Sequence, residues 1–71
     1  MRKGKEPDAF DFIATLEDGS DHWFTIDRFT LQAGDAVAGV VALERQRKGN
    51  LPAGKIGSVR RANALDFKRL E

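Results

Sequence analysis

No cysteine occurs among the 71 residues, and that absence removes disulfides, thiol catalysis and every zinc cage built on thiolates. It suits a reducing compartment. Long apolar runs are missing as well: the longest, residues 36–43, is broken by Gly39 and falls far short of the ~20 residues a membrane span needs. The opening residues are basic through Arg2, Lys3 and Lys5 but lead into no apolar segment of signal-peptide length, so a cytoplasmic protein without membrane association is expected. Catalytic side chains are equally sparse. His22 is the single imidazole, and Ser20 and Ser58 are the only serines, neither in a nucleophile elbow. On a strand, Asp21 points away from the face that holds His22 and cannot orient it as a triad acid would. No catalytic residue, metal ligand or cofactor site is therefore assigned, and a non-enzymatic protein is expected. A chain this short buries only about 60% of the surface its unfolded form exposes, which leaves little interior for a deep substrate cavity and favours binding on a surface.

The composition that remains, 41% hydrophobic and 32% charged, is that of a folded domain rather than a disordered chain. A formal net charge of +1 conceals a strong segregation. Residues 6–27 hold Glu6, Asp8, Asp11, Glu17, Asp18, Asp21 and Asp27 and no Lys or Arg, a local charge of −7. Residues 28–71 hold nine cations against four anions, a local charge of +5. Such asymmetry bears on association rather than on fold.

The organisation reads as a charged, flexible tail over residues 1–8 and one small domain over residues 9–71. Phe10, Phe12, Ala14 and Leu16 alternate with period two, as on a half-buried strand. Residues 17–21 supply turn chemistry, and His22-Trp23-Phe24-Thr25-Ile26 is a second strand rich in aromatic and β-branched residues, completing a hairpin. A three-residue loop, Asp18-Gly19-Ser20, sets Ala14 opposite Phe24 and Phe12 opposite Ile26, collecting the apolar set on one side. Trp23 then lies on the other face beside Ile13, Thr15 and Thr25, ringed by Asp11 and Asp27. Phe29 and Leu31 suggest a further strand piece. Residues 36–48 fit a strand through Val37, Val41 and Leu43 with Gly39 disfavouring a helix, or a helix with Asp35 as cap and Gly49 as terminator. The strand is preferred. Residues 55–61 form a fourth strand, bulged at Gly57, and Leu65, Phe67 and Leu70 close the chain as a short strand or a helical turn. The expected fold is all-β, a small SH3-like or OB-like barrel of about five strands, with a β-hairpin plus one helix at 36–48 (α+β) as the alternative.

Leu31-Gln32-Ala33-Gly34-Asp35-Ala36-Val37, followed by Pro52-Ala53-Gly54-Lys55-Ile56-Gly57-Ser58-Val59, resembles the Gly-Asp-x-Val opening and the Gly-x-x-Gly-x-Val closing of SH3-like barrels, including the KOW type. The resemblance covers about 30 of the 71 residues, and implies a barrel associated with nucleic acid. A fainter likeness to biotinyl and lipoyl carriers lacks their lysine tripeptide at Lys48, so no carrier lysine is assigned. Gly49-Asn50-Leu51-Pro52-Ala53-Gly54-Lys55 has the spacing of a phosphate loop, but Ile56 stands where Ser or Thr must reach Mg²⁺, and no apolar strand leads into it.

Two surfaces remain, the first giving the expected function, a nucleic-acid-binding module, and the second its alternative, a protein-interaction or self-assembly module. Arg45, Arg47, Lys48, Lys55, Arg60 and Arg61 are expected to gather on a hairpin as one basic face, for which nucleic-acid phosphate is the natural partner. No aromatic lies between Phe29 and Phe67, which disfavours base stacking there. Trp23, with Ile13, Asp11 and Asp27, is the candidate protein-interaction surface, because its acidic neighbours repel phosphate. The partner there is another protein or a second copy of the chain, forming a homo-oligomer in which the acidic hairpin meets the basic half.

Overall fold

A computed structural model describes residues 8–69, and its central element is β1, Ala9–Leu16. The proposed tail, except Asp8, and Leu70 lie outside the described residues. β1 pairs antiparallel with β2, Asp21–Asp27, on one side and with β3, Ile56–Arg61, on the other, so the sheet order is β2-β1-β3. Phe12, Ile13 and Ala14 are each 1% exposed, three successive residues of a strand whose side chains alternate between faces. Both faces of the sheet are therefore covered.

The hairpin register is two residues away from the one expected. Phe12 pairs with Phe24, Ala14 with His22 and Ile13 with Trp23, and the loop is Glu17-Asp18-Gly19. Leu16 N–H donates to Ser20 O at 2.9 Å and Gly19 N–H to Leu16 O at 2.9 Å, so the turn closes one residue earlier than Asp18-Gly19-Ser20 would. Asp18 favours this turn by accepting from both the Ser20 backbone N–H and hydroxyl, at 2.9 and 2.6 Å. A slip of two leaves every side chain on its expected face.

No closed barrel forms, and the fold is α+β rather than all-β: a three-stranded open sheet with helices. Residues 36–48 decide the difference. They form α2, Val37–Arg47, following a short α1, Arg28–Leu31. Alanine, leucine, glutamate, glutamine and arginine dominate the segment, and their summed helix preference outweighs three valines and Gly39. At its C-terminus Gly49 takes φ +85° and donates to Gln46 O at 3.1 Å, while Asn50 N–H reaches Arg45 O at 2.7 Å, a Schellman closure. Asp35 does not cap the helix; Ala36 occupies that position, and the Asp35 carboxylate goes instead to Arg61. Residues 29–31 are likewise helical rather than extended. Asp27 caps α1 by accepting from Thr30 N–H at 2.9 Å and its hydroxyl at 2.6 Å.

α2 lies on the Phe12 face and buries Ala38 and Ala42, one turn apart, against Phe12, Phe24 and Ile26. Leu51 closes this core, in a loop fastened by Gln46, whose side-chain amide donates to Pro52 O and Gly54 O at 2.9 and 2.8 Å. Gly54, at φ +139°, leaves room for Leu16 that a Cβ would take. β3 carries the expected bulge: Thr15 pairs with Ser58 and the next residue, Leu16, with Ile56, so Gly57 is skipped. The chain then turns into α3, Ala64–Arg69, which packs on the opposite face.

Because small side chains face the sheet, enlarging one disrupts the layer spacing. Ala42→Leu is expected to cost about 1–3 kcal/mol in urea denaturation, whereas Leu43→Ala, one position on, stays within about 0.5 kcal/mol. Equal costs would contradict this placement of α2.

Candidate interaction surfaces

The six cations assigned to a basic face are distributed over several parts of the fold. Arg60 and Arg61 are neighbours on β3 and so project to opposite faces of the sheet. Arg61 lies over the rings of Phe10 and Phe12, 4.8 and 5.4 Å from their centroids, and pairs with Asp35 at 2.9 Å. Arg60 grips Asp66 with both guanidinium nitrogens, at 2.7 and 2.9 Å. Arg45 donates to Thr25 O at 2.8 Å from α2, and Arg47 pairs with Glu44 one turn back. Lys48 and Lys55 sit on exposed positions at the two ends of the loop, without a carboxylate partner among the described residues. The segment 36–48 cannot bring Arg45 and Arg47 beside Arg60 and Arg61 as a partner strand, because it is a helix.

Trp23 does lie on the face away from Phe12, directly opposite Ile13, as the alternation required. It is half-buried rather than open. Phe67 of α3 packs edge-on against the indole with centroids 5.1 Å apart, and Ile13 beneath is 1% exposed. Asp11 is half-buried on the same face, its carbonyl accepting from Ala62 N–H at 2.9 Å where the chain turns into α3. Asp27 is the cap of α1, and its carboxyl is held below the usual range first by the Thr30 hydroxyl and then by the Thr30 N–H. This group of four thus anchors helices.

Asp66 is the latch of α3. Only 3% exposed, it accepts from Arg60, from Arg69 at 2.8 Å and from Asn63 N–H at 2.8 Å, while Asn63 Oδ1 accepts from Asp66 N–H at 3.0 Å. The Arg60 bonds first, then the Asn63 backbone, hold its carboxyl far below the ordinary aspartate value, and Arg60 is raised in turn. Nothing in the sequence singled out Asp66, although an Asn-x-x-Asp reciprocal cap was readable there. Beside the latch lies an open concavity of about 680 Å³, lined in part by Arg60, Leu65 and Arg69, whose polar side chains are committed to Asp66.

At the hairpin tip, the Ser20 hydroxyl donates to Asp18 and therefore accepts from His22 Nε2 at 2.9 Å. The order carboxylate–hydroxyl–imidazole locks a turn; in a triad the imidazole stands between the other two. Among the described residues no three His, Cys, Asp or Glu side chains converge on a metal-sized site, and no helix is long and apolar enough to cross a membrane.

The outer face of α2 is the surface that strand reasoning missed. Val40 is 62% exposed and Leu43 61%, at the i, i+3 spacing that makes them neighbours on a helix. Ala36 and Arg47 extend the stripe by a turn each way, and Gly39 beside it has nothing of the chain within reach of a Cβ. Phe29, at 80%, is exposed on α1. The signal available was the periodicity: once 36–48 is wound as a helix, Ala38 and Ala42 fall on one side and Val40 and Leu43 on the other.

Comparison of the chain with protein-family models, with curated proteins and with solved structures finds no match. The geometry alone therefore carries the functional argument.

Tryptophan fluorescence reads the latch directly. A carboxyl whose folded value is depressed contributes stability that is present above about pH 3.9, its unfolded value, and is lost as the pH falls below that. Trp23 emission is expected to shift red on acidification below about pH 4, and Asp66→Asn to be red-shifted already at neutral pH. An Asp66→Asn protein with native emission would show that α3 is held by Phe67 alone.

Proposed function

We propose that the chain is a non-enzymatic protein-interaction module, acting in the cytoplasm, whose binding surface is the outer face of α2. One observation carries this reading: α2 buries Ala38 and Ala42, half-buries Val37 and Val41, and leaves Val40 and Leu43 in solvent. A surface helix ordinarily keeps polar residues on that outer side. Apolar side chains grouped on a rigid element and rimmed by charge, here Glu44, Arg47 and Lys48, have the make-up of a protein contact with an apolar centre and polar edge.

The nucleic-acid reading ranks second. Its support is reduced to Lys48 and Lys55, since Arg45, Arg47, Arg60 and Arg61 each have an intramolecular partner that a phosphate would have to displace. Phosphate binding without those arginines leaves few counterions to release and a shallow salt dependence.

A photo-reactive residue at position 40 or 43 tests the first reading in cells. It is expected to form protein adducts that the same residue at exposed Glu17 or Lys55 does not. Adducts of equal yield at all four positions, or none, would overturn it. Anisotropy of a mixed-sequence duplex at low salt should change little on addition of the protein. Tight binding that Arg60→Gln with Arg61→Gln abolishes would restore the second reading.

A further inference from the structure

We propose that α3 is a strap: it opens as a unit while the sheet and α2 stay folded, and in opening it uncovers the Ile13–Trp23 face. This concerns the side of the sheet opposite α2 and stands apart from the α2 reading. Trp23, Ile13 and Arg60 form one row across the three strands, since Ile13 pairs with Trp23 on β2 and with Arg60 on β3. Cross-strand partners share a face. From α3, two adjacent residues reach the two ends of that row: Asp66 takes both guanidinium nitrogens of Arg60, and Phe67 sets its ring against the Trp23 indole with centroids 5.1 Å apart. The helix thus spans Ile13, which is 1% exposed.

Among the described residues, these are the hydrogen bonds and ring contacts that cross from α3 to the strands. The other bonds of Asp66 stay inside the strap: its carboxylate accepts from Asn63 N–H and from Arg69, and Asn63 Oδ1 accepts from Asp66 N–H. The helix therefore keeps its own cap and its own counter-charge when it leaves. Asp66 is also the one residue of α3 that is buried; Leu65 is 70% exposed and Phe67 45%, so closure buries no apolar side chain of the helix. α2, by contrast, buries Ala38 and Ala42. A segment with so little buried apolar surface opens at a lower free energy than the core beneath it. Water returning to a carboxylate that is 3% exposed when closed offsets part of the lost Arg60 bonds.

The pivot is equally well marked. Ala62 N–H is fixed to Asp11 O at 2.9 Å, and the ladder of bonds into the sheet ends there, so the strap begins at the next residue. Closed, α3 is itself the occupant of the surface that Trp23, Ile13 and Asp11 make, which is masked in the ground state and offered on opening.

Because the chain has no cysteine, a thiol placed under each cover reports which cover lifts. Ile13→Cys lies under α3, and Ala42→Cys, at a position 0% exposed, lies between α2 and the sheet. Labelling in native buffer is expected to be at least about tenfold faster at position 13 and only weakly dependent on urea, since it needs α3 alone to lift. At position 42 it should follow urea with the slope of global unfolding. Leu51→Ala, which weakens the core on the α2 side, should speed labelling at 42 and leave 13 unchanged, because the open and closed strap lose that contact alike. Arg60→Gln should speed labelling at 13 at least about tenfold. Amide exchange in the unaltered chain repeats the comparison without thiols: Phe67 N–H, bonded to Asn63 O, should show the weak urea dependence and Ala42 N–H the steep one. Equal labelling rates at 13 and 42 that Leu51→Ala raises together would overturn the strap, and so would an Arg60→Gln chain whose rate at 13 is unchanged.

Discussion

Three consecutive buried residues on the middle strand, Phe12, Ile13 and Ala14, set the terms for everything else in this protein. A strand sends successive side chains to opposite faces, so a sheet with such a centre must be covered twice. With 71 residues in the chain, two large layers are not available. The chain solves this unequally: an 11-residue helix covers the Phe12 face and a 6-residue helix covers Ile13 and Trp23.

The unequal covers are held by different physics. α2 is attached by apolar contact, with Ala38 and Ala42 allowing the helix backbone close to Phe12, Phe24 and Ile26. α3 has one aromatic contact, Phe67 on Trp23, and relies on Asp66 being shared by two arginines and a backbone N–H. A nearly dry carboxylate is tolerable only because each of its oxygens is bonded. The close fit of α2 has a second effect. Ala38 and Ala42, with Val41 beside them, fill the inner face, and Val40 and Leu43 are left outside.

The ion pairs do not join the two charge blocks of the sequence. Asp35–Arg61, Asp66–Arg60 and Glu44–Arg47 all lie within residues 28–71, so folding neutralises part of the basic stretch with its own carboxylates. Arg60 and Arg61, adjacent in sequence, end on opposite sides of the sheet, each with its own carboxylate. Of the six cations expected on one face, only Lys48 and Lys55 are left without an intramolecular partner among the described residues, beside an apolar stripe, and this is the basis for reading the molecule as a protein-binding rather than a phosphate-binding module.

By itself the sequence determined the hairpin, the face on which Trp23 lies, the bulge at Gly57 and the stop at Gly49, because period-two alternation, turn residues and glycine conformations act within a few residues. It did not determine the state of residues 36–48, where valines and a glycine argue for strand by about as much as alanines and charged residues argue for helix. Only the tertiary structure decided that, since β1 takes β2 and β3 as its two neighbours and the Phe12 face then requires a covering layer with small residues one turn apart. The basic patch failed for the same reason: grouping Arg45 and Arg47 with Arg60 and Arg61 assumed a strand pairing that the helix removes. Whether Trp23 is covered, and that Asp66 is the residue that keeps it so, depends on a contact between positions more than forty residues apart. No local pattern encodes such a contact; it exists only once the sheet has presented Ile13 and Arg60 on the same face.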